Sequence, residues 1–153
     1  MSNIHLISAM NLTVASGDLV NLPCELKPSL ADDLVRLILW FKNDITGGPI
    51  YSVDARHSLL QNATQFSSSH EFKSRASFKV TSECPPCLTP ATLTLSPVDH
   101  KDSGIFRCRV DFKKSRTKHT VIHLNVIGEY NDIRLLITCN RTSIVQCYFS
   151  IIN

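Results

Sequence analysis

The chain has one tryptophan in 153 residues, and no apolar run approaches the roughly 20 residues of a membrane span. It also lacks a strong charge of either sign. Sixteen Lys and Arg against 13 Asp and Glu leave +3, too little to imply a nucleic-acid or membrane-surface partner. Residues 1–10 contain neither a basic segment nor a continuous apolar one, so they read as a leader without a secretion signal. No internal repeat is present. The histidines do not form a catalytic pair: His5 lies in the leader, His57 and His70 in loops, His100 in a turn, and His119 and His123 on a strand. None stands in a serine or cysteine nucleophile motif. No enzyme activity, cofactor or metal site is expected.

What is present points outside the cell. Six cysteines in 153 residues are many for a reduced cytosolic domain and ordinary for an extracellular one. Asn11-Leu12-Thr13, Asn62-Ala63-Thr64 and Asn140-Arg141-Thr142 are acceptor sequons for N-glycans. An extracellular or cell-surface setting, with the parent protein anchored in a membrane, sits awkwardly with the missing signal. A chain working there is expected to be a fragment or an isoform.

Cys24, Trp40 and the run Asp102-Ser103-Gly104-Ile105-Phe106-Arg107-Cys108 carry the strongest signal. Fifteen residues separate Cys24 from Trp40, and 67 separate Trp40 from Cys108. A disulfide between two stacked antiparallel sheets, with an indole packed against it, requires that order. The expected fold is therefore all-β, an immunoglobulin-like sandwich of variable type with Greek-key connections. Residues 11–127 form the domain, preceded by the leader 1–10 and followed by a tail, 128–153.

Alternation and turn chemistry place the strands. Leu12 and Val14, then Val20, Leu22 and Cys24, give strands A and B around Gly17-Asp18. Val35 to Lys42 gives strand C, and Ile50 to Val53 supplies the extra C′ strand of variable-type domains. Residues 57–73, polar and serine-rich, read as a C″ edge and loop. Arg75 to Val80, Thr92 to Leu95, Gly104 to Phe112 and about Thr117 to Val126 read as strands D, E, F and G. In the tail the pattern stops, and Arg134, Asn140, Arg141 and Gln146 exclude a comfortable membrane helix.

Cys24 and Cys108 are expected to be bonded, which in the chain-entropy view is worth about 4–5 kcal/mol for so long a loop. Phe106 stands where a tyrosine corner would place a hydroxyl. Arg75 and Asp102 are candidates for an ion pair closing one end of the sandwich. Cys84-Pro-Pro-Cys87 lies between strands rather than at a helix start and has no second cysteine pair at zinc spacing. A structural disulfide suits it better than thiol chemistry or a metal. Lys113, Lys114, Arg116 and Lys118 crowd the F–G hairpin. A glycosaminoglycan or acidic partner could dock there, but a solvated hairpin tip is the better reading.

Strand parity nominates a face. With Trp40 and Ile38 inward, Leu37, Leu39 and Phe41 point out of the sandwich. With Cys108 inward, Arg107, Arg109 and Asp111 share that outer face. On strand G, inward Ile122, Leu124 and Val126 leave His119, Val121 and His123 outside. An apolar stripe with a polar rim marks a protein interface.

Leu39-Trp40-Phe41-Lys42, Pro49-Ile50-Tyr51-Ser52-Val53-Asp54-Ala55-Arg56, Ser74-Arg75-Ala76-Ser77-Phe78 and Cys108-Arg109-Val110-Asp111-Phe112 give the chain a further likeness. Over residues 11–127 it resembles the first immunoglobulin domain of the Sidestep family, insect cell-surface proteins of the nervous system. The resemblance implies a guidance or adhesion ligand recognised by Beaten path receptors, with first domains pairing through their G-F-C-C′ faces. Tyr51, Asp54 and Arg56 join the candidate face on this reading. The Cys84–Cys87 insertion and the tail depart from the family pattern. Homophilic contact, a soluble decoy or immune-type recognition domain, and a thiol-disulfide enzyme using Cys84 and Cys87 are the alternatives.

Overall fold

The computed structural model describes residues 8–43, 46–68, 70–80 and 91–128, together with the strand backbone at 134–140 and 146–152. Nine strands build two facing sheets: β1 (Ser8–Ala15), β2 (Val20–Cys24), β3 (Val35–Lys42), β4 (Tyr51–Asp54), β5 (Thr64–Ser67), β6 (Ala76–Lys79), β7 (Ala91–Leu95), β8 (Gly104–Phe112) and β9 (Lys118–Ile127). One sheet has the order β1-β9-β8-β3-β4-β5, the other β2-β7-β6. This is the variable-type immunoglobulin sandwich expected from the Cys-Trp-Cys spacing.

Alternation makes the core. On β2, Val20, Leu22 and Cys24 are buried while Asn21 is exposed; on β8, Phe106, Cys108, Val110 and Phe112 are buried. The Cys24–Cys108 disulfide joins the two sheets with a Cα–Cα distance of 5.9 Å. Trp40 is the register partner of Cys108, and Phe106, Ile38, Leu22 and Leu93 are as fully buried as it is. Each such side chain contributes roughly 1.5–3 kcal/mol of burial. Phe106 has no hydroxyl to give a corner hydrogen bond and keeps only the packing.

The lower end of the sandwich explains the Asp-x-Gly motif. Asp102 is fully buried and accepts hydrogen bonds from Arg75 Nη1 at 2.7 Å and Nη2 at 3.0 Å, and from the Asp99 backbone N–H at 2.7 Å. Burial pushes its carboxyl up, but these donors outweigh burial and hold it below the ordinary range. Arg75 is held in turn by the carbonyls of Pro97 and Glu71. The expected ion pair is present. Two residues on, Gly104 has φ +146, and a Cβ there would overlap Asn43 Oδ1, the atom that accepts the Ile105 N–H at 2.9 Å. Only glycine leaves that space.

At the opposite end a second aspartate closes the loops. Asp33 is 7% exposed. It accepts backbone N–H groups from Leu34 at 2.8 Å, Lys114 at 3.1 Å and Ser115 at 2.5 Å. Burial opposes its charge, yet the Ser115, Leu34 and Lys114 donors bring its pKa down to about 2. The 25–34 loop and the 113–117 turn are thereby tied together.

Three features differ from the sequence reading. β1 begins at Ser8, inside the expected leader 1–10, and pairs in parallel with β9 along eight residue pairs, Ser8 with Thr120 through Ala15 with Ile127. Within the expected loop 57–73, His70–Lys73 forms one helical turn, α1, around buried Phe72. The tail, where no pattern had been read, contains an antiparallel hairpin of β10 (Arg134–Asn140) and β11 (Gln146–Ile152). Cys139 and Cys147 are register partners there. Cys84 and Cys87 lie outside the described residues.

Candidate recognition face

The outer surface of the six-stranded sheet is built in rows of register partners. Leu39 on β3 is partnered by Ser52 on β4 and by Arg109 on β8. Arg109 is partnered by His119 on β9, and Ser52 by Phe66 on β5. A second row joins Thr64, Asp54, Leu37 and Asp111; a third joins Phe41, Arg107, Val121 and Ala9. Partners in a ladder point to the same side, so each row is a strip of one surface.

Down the middle runs Leu37, Leu39 and Phe41, each partly exposed. Charged pairs flank them. Arg109 Nε donates to Asp111 Oδ1 at 3.0 Å, and Thr117 Oγ1 donates to the same oxygen at 2.7 Å. Arg56 Nη2 donates to Asp54 Oδ2 at 2.6 Å; hydrogen bonds from Arg56 hold the Asp54 carboxyl at about 2 and raise the Arg56 guanidinium. These exposed pairs add little stability. What they do is fix charge of both signs beside the apolar column.

Two candidates leave this surface. Tyr51 is the register partner of Trp40 and shares its inward direction. It is 6% exposed, its hydroxyl donates to Gln65 Oε1 at 2.6 Å, and burial raises its pKa. Val121 belongs to an outward row, yet β9 lies between β1 and β8 and the side chain is only 7% exposed. His119 and His123 are exposed on the same strand.

The sequence reading missed Phe66. It is 64% exposed, on the row of Leu39 and Ser52, and it extends the apolar strip to the sheet edge. The segment Thr64-Gln65-Phe66-Ser67 alternates, and its lone aromatic in a polar stretch was the available signal. At the F–G turn, Lys113, Lys114 and Arg116 are exposed, while Lys118 Nζ donates to the Lys27 carbonyl at 2.6 Å. Among the described residues no group of His, Cys, Asp or Glu is arranged to hold a metal, and no helix is long and apolar enough to cross a membrane.

Such a face on such a sandwich defines a class. Residues 7–127 match the immunoglobulin V-set domain, and the chain belongs to that family. V-set domains are typically extracellular, non-enzymatic recognition modules. No curated protein matches the sequence. Among solved structures, the first immunoglobulin-like domain of human CD48 antigen is 21% identical, covering 84% of this chain and 88% of that one with a TM-score of 0.54. Murine CRIg is 17% identical, covering 76% and 92% with a TM-score of 0.57. A parallel homodimer of the voltage-gated sodium channel β4 subunit, described for its role in cell–cell adhesion, is 14% identical, covering 84% and 99% with a TM-score of 0.56. At these identities the likeness is one of fold.

Proposed function

We propose that this domain is a cell-surface recognition module whose β9-β8-β3-β4 face binds an immunoglobulin-superfamily receptor on an apposed cell. The observation that carries the reading is the partly exposed column Leu37, Leu39, Phe41 between the Arg109–Asp111 and Arg56–Asp54 pairs. A central apolar strip with a polar, charge-bearing rim is how protein interfaces are built. The resemblance to Sidestep first domains supports a Beaten path-like receptor as the partner and axon guidance as the setting. Structural neighbours with adhesive roles support contact between cells.

A homophilic contact through the same face is the second reading, favoured by the presence of both charge signs on one surface. The test is the pair Leu39→Glu and Phe41→Glu, with folding checked by thermal unfolding and binding measured against Beaten path-family ectodomains and against the chain itself. Loss of binding by more than tenfold is expected, since truncating central interface anchors costs at least about 2 kcal/mol. Unchanged affinity in both variants overturns the proposal. Self-association abolished by the same variants selects the homophilic reading.

A further inference from the structure

We propose that Asn11 and Asn62 carry N-linked glycans that stand at the two opposite edges of the recognition face and confine any partner to the four strands between them. The inference rests on the reading of that face given above, but its modification sites are argued independently of any partner.

β1 and β5 are the outermost strands of the six-stranded sheet, and each is served by one sequon. On β1, Met10, Leu12 and Val14 pack against the core, which turns Ala9, Asn11 and Thr13 outward. Asn11 is the register partner of exposed His123, and His123 of Ile105. Asn11 therefore stands on the recognition face itself, at its β1 margin, with both Asn11 and Thr13 exposed. At the other margin, Asn62 ends a short 3₁₀ turn, Leu60–Asn62, that leads directly into β5. Its sequon threonine, Thr64, is the register partner of outward-facing Asp54, and both Asn62 and Thr64 are exposed.

The chemistry is a group transfer from a lipid-pyrophosphate-linked oligosaccharide. The Asn Nδ2 atom bonds to the anomeric carbon, that carbon's bond to phosphate oxygen breaks, and the lipid pyrophosphate departs as the amide gives up a proton. An outward asparagine on an edge strand accepts the added mass without disturbing the core.

The geometry sets the consequence. With strands about 4.8 Å apart, the face is about 24 Å wide from β1 to β5, and the strip from β9 to β4 only about 14 Å. A standard partner footprint of about 800 Å² is as wide as the whole sheet. A partner seated between two glycans lies lengthwise along β8 and β3 and buries less than that. The same glycans guard both sheet edges against strand addition, and the one at Asn62 shades Phe66, which is 64% exposed.

The test directs the full chain into the secretory pathway of eukaryotic cells. Intact-glycopeptide mass spectrometry is expected to find both Asn11 and Asn62 occupied; an unoccupied residue at either position overturns the proposal. Hydroxyl-radical footprinting then compares this protein with the Asn11→Gln/Asn62→Gln variant. Oxidation of Phe66 is expected to rise several-fold in the bare variant while that of Phe41 is unchanged. Equal labelling of Phe66 in both forms overturns the framing. Neither readout uses a receptor, so failure here is separable from failure of the Leu39 and Phe41 variants.

Discussion

Each end of the sandwich is closed by a buried aspartate, Asp102 below and Asp33 above, and the two carboxylates are satisfied by different chemistry. Asp102 is answered by a guanidinium and one backbone N–H. Asp33 is answered mainly by backbone N–H groups, from its own neighbour and from the F–G turn, with the Ser115 side chain beside them. A guanidinium can be removed by one substitution, leaving a buried charge with little to balance it. Backbone donors cannot be mutated away, so removing the Ser115 side chain leaves most of the donors in place and the upper end depends chiefly on Asp33 itself. The lower end is a charge pair that holds two sheets; the upper end is a clasp that holds two loops beside the candidate face.

The difference can be broken most severely at Arg75. Arg75→Met keeps the length of the side chain and strands Asp102, and is expected to cost about 3 kcal/mol, read as a lowered denaturant midpoint at unchanged slope. Next is Gly104→Ala. A Cβ in that left-handed conformation meets Asn43 Oδ1 and breaks its bond to the Ile105 N–H, with an expected loss of about 2 kcal/mol in the same measurement. A loss below that of an ordinary surface substitution would show that Asn43 moves aside freely.

The smallest effect sharpens the comparison through pH. Both carboxyls sit below their ordinary values when folded, Asp33 at about 2 against 3.8. A depressed folded pKa contributes stability above the unfolded value and loses it as pH falls toward the folded one. Stability should therefore be level above about pH 5 and decline from there toward about 2. Asp33→Asn should flatten part of that acid limb and shift the denaturant midpoint at neutral pH less than Arg75→Met does. An acid limb identical in wild type and Asp33→Asn would remove Asp33 from the account.

These ends also show what could be read in advance. The lower end was legible because its parts are side chains in a fixed motif: Arg75 and Asp102 name each other by charge, and Cys24, Trp40 and Cys108 by spacing. Parity from Trp40 and Cys108 was enough to place Leu37, Leu39, Phe41, Arg107, Arg109 and Asp111 on one surface. The upper end was not legible, because backbone N–H groups have no letter in the sequence. Tyr51 and Phe66 failed for a related reason. Whether a strand residue faces inward depends on its register against the next strand, and a shift of one residue reverses it. The burial of Val121 depends on β1 lying beside β9, a parallel pairing between chain segments more than a hundred residues apart.

That parallel pairing has a mechanical consequence. Ser8 lies beside Thr120 at one end of the ladder, and Ala15 beside Ile127 at the other. Tension drawing Ser8 and Ile127 apart pulls β1 and β9 in opposite directions along their shared axis, so the evenly spaced bonds of the ladder are loaded together in shear instead of opening one at a time. Force entering at β1 and leaving at β9 would meet the sheet along its strongest direction.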